Sequence, residues 1–136
     1  MGDPFDSGPA GPGGWWILDE PELHLGGNVL VPDLAGWRRE RLPALPDAAW
    51  IELTPDWVCE VLSPGTRTVD RTDKRRLYAA AGVPFLWLVD PPARTLEAFA
   101  LRDGAWTLIA ALKDDEEVRV VPFDAVAFPL SVLWPD

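Results

Sequence analysis

The sequence predicts an α+β domain in which a mixed, mainly antiparallel β-sheet carries one principal helix, placed after a central strand. Short apolar or alternating segments recur along the chain, separated by Gly, Pro and acidic turns. Only the stretch from about 70 to 81 lacks Gly and Pro and spaces its apolar residues as a helix does. That stretch follows WVCEVL at 57 to 62, the most apolar of the early strands, which is expected at the centre of the sheet.

The elements follow in order. Residues 1 to 14, MGDPFDSGPAGPGG, read as a flexible Gly/Pro-rich arm, and the domain occupies 15 to 136. WWIL (15 to 18), ELHL (22 to 25) and VLVPDLAGW (29 to 37) are separated by DEP and GGN and read as a β-meander. A long connection with three prolines covers 38 to 56. SPGT breaks the strand at 57 to 62; Asp70 or Thr68 can cap the helix, Gly82 can end it and Pro84 prevents its continuation. FLWLVD (85 to 90), TLEAFAL (95 to 101), AWTLIAAL (105 to 112) and EVRVV (117 to 121) then read as consecutive antiparallel strands.

Composition narrows the functions. The 136 residues are 48% hydrophobic with eight Trp, enough for one core. The longest apolar runs are too short to cross a bilayer and the amino terminus lacks a signal-peptide layout, so a cytoplasmic protein is the default. One Cys and one His exclude a disulfide framework and leave carboxylates as the main ligands of any metal. A net charge of −10 argues against a general coat for nucleic acid, yet five of the twelve Lys and Arg fall between 67 and 76, and Arg38, Arg39 and Arg41 form a second patch.

Three residues stand out. Asp33 interrupts one apolar strand and Glu60 another, and such carboxylates repel each other and resist desolvation unless a divalent cation neutralises them. Adjacent strands run about 5 Å apart, close enough for two carboxylates to share one ion. Steps of three and four from Lys74 give Leu77, Tyr78 and Ala81, so the lysine heads the stripe that faces the sheet, where it either snorkels past its neighbours or meets an acidic partner. Arg71 and Arg75 share another, wet face. Asp56 is set aside, because four residues of strand put it about 13 Å from Glu60.

The wording VPDLAGWRRER, followed by LTPDWVCEVLSPGTRTVDRTDKRRLYAAAGVPFLWLVDP, resembles the Uma2 branch of the PD-(D/E)xK nuclease superfamily over roughly residues 15 to 130. In that family a Pro-Asp strand precedes a P-D-x-V-x-E-V-L-S-P strand, a D-x-x-x-K helix and a G-V-x-x-x-W-x-V-D strand, in which Leu88 takes the variable position before Val89-Asp90. The resemblance implies a restriction-endonuclease-like core and a metal-dependent endonuclease. Asp33 and Glu60 would hold Mg²⁺ or Mn²⁺ with help from the Val61 carbonyl, and Lys74 would assist the attacking water. The lysine position of the short superfamily spelling is Leu62 here; in the Uma2 pattern the following helix supplies it, at Lys74.

Arg67, Arg71 and Arg75 lie at the same end and are candidates for the phosphates of DNA. Ser63 and Thr66 fit turn formation better than ligand contact. Asp70 could tether Lys74 or cap the helix, and one of Glu20, Glu22 and His24 could reach the metal or simply line an edge. Trp37, Trp57, Trp87 and Tyr78 are read as core aromatics. Family chains usually carry a further amino-terminal helical region, which here gives way to the short arm, so the enzyme is expected to be weakened if that region matters. The alternative is a catalytically weak or inactive nuclease-fold module that binds nucleic acid or a protein; structural pairing of Asp33 and Glu60 with Arg and Lys is the bland third reading. A homodimer would suit double-strand cutting.

Overall fold

Alternation of large apolar residues builds the first strand, which buries Trp15 and Ile17 on one face and ends at an exposed Asp19. The computed structural model describes residues 14–62, 67–114, 116–118 and 128–129, and of 67–72, 117, 118, 128 and 129 the backbone alone. In chain order the elements are β1 (Trp15–Asp19), β2 (Leu23–Leu25), β3 (Asn28–Leu30), β4 (Leu34–Arg38), β5 (Trp57–Val61), α1 (Arg67–Ala80), β6 (Phe85–Asp90), β7 (Thr95–Arg102), β8 (Ala105–Lys113), β9 (Glu117–Val118) and β10 (Phe128–Pro129).

Six strands form the principal sheet in the order β1-β4-β5-β6-β7-β8, antiparallel throughout except for the central pair β5 and β6. A parallel pair needs a crossover, and α1 supplies it. The expected mixed sheet with one helix after a central strand is therefore present. The expected meander over 15 to 37 is not. β1 pairs with β4, Trp16 opposite Trp37, while β2 and β3 form a separate hairpin between them. Gly26 and Gly27, both at positive φ, close that hairpin, while Glu20 at φ 48 and the following Pro21 break the chain between β1 and β2. The run 29 to 37 is likewise two strands, because Pro32 and Asp33 lie between β3 and β4. Of the run 117 to 121, β9 holds the first two residues and pairs with β10; the rest lies outside the described residues, as does nearly all of the 1 to 14 arm.

Each face of the sheet buries its own apolar set. Trp15, Ile17, Trp57, Cys59, Trp87, Val89, Leu96 and Ala98 pack together on one face, with Trp57 and Trp87 edge to face at 5.4 Å. On the other, α1 sets Tyr78 among Ala35, Trp37, Val58, Leu62, Leu86, Leu88 and Phe99. Each fully buried Leu there contributes about 1.5–3 kcal/mol of transfer free energy.

The carboxyl end of α1 is closed as its sequence predicts. Gly82 takes φ +82, its amide bonds the Ala79 carbonyl and the Val83 amide bonds the Tyr78 carbonyl, the paired bonds of a Schellman cap. Further along, a register shift in the β7–β8 ladder leaves Ile109 as an extra residue and brings Trp106 to the helix face. There the Trp106 indole donates to the Arg75 carbonyl at 2.8 Å, so a bulge in an edge strand helps to fix the helix.

The long connection from 39 to 56 is tied down rather than loose. Trp16 and Trp37 donate their indole N–H groups to the Leu42 and Leu53 carbonyls, and Ile51 bridges to β2. Asp56 accepts from the Arg38 amide at 2.9 Å and pairs with Arg41 at 2.7 Å, which explains its burial without any ligand.

Gly36 is the close-approach point of this architecture. A Cβ there would stand 2.9 Å from Ile17 Cδ1, 3.0 Å from the Trp15 ring and 3.2 Å from the Trp57 ring. Ile17 can turn aside, but the two rings are packed in the core. Gly36→Ala is therefore expected to lower stability by about 1–3 kcal/mol in urea unfolding, the usual cost of overpacking; an unchanged midpoint would contradict the stated packing.

Candidate active site

Register decides which carboxylates meet. Leu34 pairs with Cys59 across the antiparallel β4–β5 ladder, so Asp33, one residue before β4, lies level with Glu60. Side chains alternate along each strand. Ala35 and Trp37 face the helix, as do Val58 and Leu62, which puts Asp33 and Glu60 on that same face. The bend at Pro32 and Asp33 thus sets a carboxylate at the mouth of the ladder, not inside a strand as the sequence suggested. Its backbone is held from the other side by the Glu20 amide, which donates to the Asp33 carbonyl at 2.9 Å.

Glu60 is 8% exposed. Burial pushes its carboxyl up to about 7, a rise that the Tyr78 hydrogen bond and the Lys74 charge oppose and the adjacent Asp33 reinforces. The Tyr78 hydroxyl donates to Glu60 Oε2 at 2.6 Å, a length typical of a charge-assisted bond. Lys74 Nζ stands 3.5 Å from the same oxygen and donates to the Val31 carbonyl at 3.3 Å. The lysine is therefore aimed inward and meets an acidic partner, so the helix stripe brings both Lys74 and Tyr78 to Glu60. Asp33 Oδ2 accepts the Val61 amide at 2.6 Å.

Asp33, Glu60 and Lys74, distant in sequence, are thus brought together. Val61 joins them through its amide; its carbonyl, named above as a ligand, has no such tie among the contacts described. Arg75 does not lie on a wet face. Its guanidinium sits 4.5 Å over the Phe99 ring, because the helix flank beside the inward stripe runs across β7. The side chains of Arg67, Asp70 and Arg71, and the whole Ser63 to Thr66 turn, lie outside the described residues. Glu22 and His24 bond each other at 2.6 Å, and the imidazole stacks on Trp50 at 4.8 Å. Trp37, Trp57, Trp87 and Tyr78 are fully buried, as expected.

Tyr78 is the residue that the sequence reading missed. Its signal was available: it stands four residues after Lys74 on the same stripe, so whatever Lys74 reaches, Tyr78 can reach one turn further on. Its aromatic ring made a core role sufficient.

Among the described residues no three His, Cys, Asp or Glu side chains converge. Two carboxylates remain, Glu60 on β5 and Asp33 at the entry to β4, which suits Mg²⁺ or Mn²⁺: hard, oxygen-seeking ions of which Mg²⁺ is commonly held by one or two carboxylates and keeps several waters. Zinc, which prefers three or four nitrogen or sulfur donors, does not fit this set.

Comparison with known proteins bears on the family and the fold. A family model, Uma2, described as "Putative restriction endonuclease", matches residues 9–131. Among solved structures, a "putative nuclease belonging to DUF820" from Anabaena variabilis is similar with a TM-score of 0.69 and 21% identity, over 86% of this chain and 66% of that one. The likeness is one of fold, and this chain spans slightly less than two thirds of that protein's length. No functionally curated protein matches. No helix among the described residues is long and apolar enough to cross a membrane.

The raised Glu60 value has a consequence for stability. Because it moves from 4.5 to about 7, the folded chain prefers the protonated form. The stability from this group is fully present below pH 4.5 and is lost as pH rises through 7, to a total of roughly 3 kcal/mol. Glu60→Gln, which keeps an acceptor for Tyr78 and cannot ionise, is expected to melt higher than the parent at pH 8 in EDTA and nearly with it at pH 5. Superimposable melting curves at pH 8 would mean that the buried charge is already compensated.

Proposed function

The chain belongs to the Uma2 family of putative restriction endonucleases, and from that premise we propose that it is a divalent-metal-dependent endonuclease that hydrolyses phosphodiester bonds in DNA. One observation carries the reading. Glu60 is kept buried beside Asp33 at an energetic cost, on the one sheet face where Lys74 can reach it. Structural pairing alone accounts poorly for that cost, since the lysine contact is long at 3.5 Å and a second carboxylate adds to the repulsion.

Each residue takes a role that follows from its position. Asp33 and Glu60 would hold Mg²⁺ or Mn²⁺, with the Val61 carbonyl as an added ligand. When bound, such an ion acts as a Lewis acid toward a phosphoryl oxygen and makes a water acidic enough to attack phosphorus. Asp33 is kept in place by the Val61 amide, so its carboxylate is oriented before any ligand arrives. Lys74, steadied by the Val31 carbonyl, would orient the attacking water or offset charge that develops on the phosphoryl oxygens.

Phosphate contacts are proposed for Arg67, Arg71 and Arg75, which α1 carries on its first turns and beyond. A chain at −10 must rely on such local cations, so affinity for DNA should fall steeply with salt. A cytoplasmic location and a homodimer with two sites for a double-strand cut belong to the same reading.

The test is cleavage of supercoiled plasmid at low salt. The parent should nick in Mn²⁺ and stop in EDTA, and Asp33→Ala and Glu60→Ala should each slow cleavage about a hundredfold or more. Asp56→Asn, which alters the other Pro-Asp pair, should cut at the parental rate. Activity should rise with pH from the acid side, because Glu60 must lose its proton to hold a cation and the two compete for the carboxylate. Equal nicking by the parent and Asp33→Ala would refute the assignment, and DNA retention with no cleavage would favour the non-catalytic module.

A further inference from the structure

Besides the neighbouring Asp33 carboxyl, two groups from the helix approach the Glu60 carboxylate, and both fall on one oxygen. Tyr78 donates to Oε2 at 2.6 Å, and Lys74 Nζ approaches the same atom at 3.5 Å. The shorter bond comes from the more constrained partner. Tyr78 is fully buried, packed among the apolar residues that join α1 to the sheet, and its own carbonyl is tied into the helix cap by the Val83 amide. Lys74 is half-exposed and divides itself between Glu60 and the Val31 carbonyl. A phenol on a fixed ring sets the direction of its hydrogen bond far more narrowly than an ammonium on four methylenes does.

We infer that Tyr78 is a positioning residue of the cation site, its hydroxyl holding Glu60 Oε2 so that the carboxylate is oriented before a divalent cation binds. The inference rests on the proposed metal site and adds a residue which that proposal does not use. It also gives the two stripe residues separate tasks. Tyr78 fixes the ligand, and Lys74 is left free to face the substrate.

Tyr78 is the only tyrosine in the chain. Growth on 3-fluorotyrosine therefore places a single ¹⁹F label beside Glu60 and leaves the hydroxyl in place. Addition of Mg²⁺ should move that one resonance saturably in the labelled parent and leave it still in labelled Asp33→Ala. In parallel, Tyr78→Phe, which keeps the buried ring, should bind Mn²⁺ about tenfold more weakly by calorimetry, the usual loss when a partner behind a metal ligand is removed. Should Tyr78→Phe fail to fold, the ¹⁹F arm decides alone. An unmoved resonance, or a folded Tyr78→Phe that binds Mn²⁺ as tightly as the parent, overturns the inference and leaves the proposed function standing. A parent chain that binds no Mn²⁺ removes the proposed function and this inference with it.

Discussion

A carboxylate buried beside a second carboxylate is the constraint around which this domain is arranged. Glu60 lies in one of the two central strands of a six-stranded sheet, level with Asp33 at the entry to the neighbouring strand, and burial holds its carboxyl near 7. Desolvation of that kind is expensive, and every nearby element bears on it. The β4–β5 register supplies the second carboxylate, the Val61 amide holds it, and the crossover helix delivers a phenol and an ammonium to one oxygen. Helix placement in turn depends on distant residues: the bulged β8 turns Trp106 toward Arg75, and Gly82 ends the helix where Tyr78 still lies over Glu60.

Much of this was legible in the sequence because periodicity reports which face a residue takes. The inward stripe beginning at Lys74 could be counted, the strand at 57 to 62 named itself by its apolar run, and the four-residue separation of Asp56 from Glu60 excluded Asp56 by length alone. The structure accounts for Asp56 separately, through Arg41 and the Arg38 amide.

What periodicity does not encode is partnership between distant strands. That β1 skips β2 and β3 to pair with β4 depends on a long-range hydrogen-bond ladder, and the local pattern of 15 to 37 is equally good for a meander. The same limit applies to side chains that carry two chemistries. Tyr78 fits a core aromatic whose hydroxyl the pattern does not reveal, and Arg75 fits an exposed cation while its guanidinium lies over Phe99. The basic patches suffer most from this. Arg38 and Arg39 lie over Trp15 and Trp16, and Arg41 is paired with Asp56, so charges that look free in the sequence are in part structural.

Crystals grown with Mn²⁺ measure directly whether Asp33 and Glu60 hold one cation. Anomalous differences collected near the manganese edge should give a single strong peak between the two carboxylates at a pH above 7, where Glu60 is ionised. The peak should vanish when Glu60 is replaced by glutamine. A well-ordered Asp33 and Glu60 with no peak between them, or manganese held elsewhere on the chain, would contradict the account and leave the pair as a costly feature of the core.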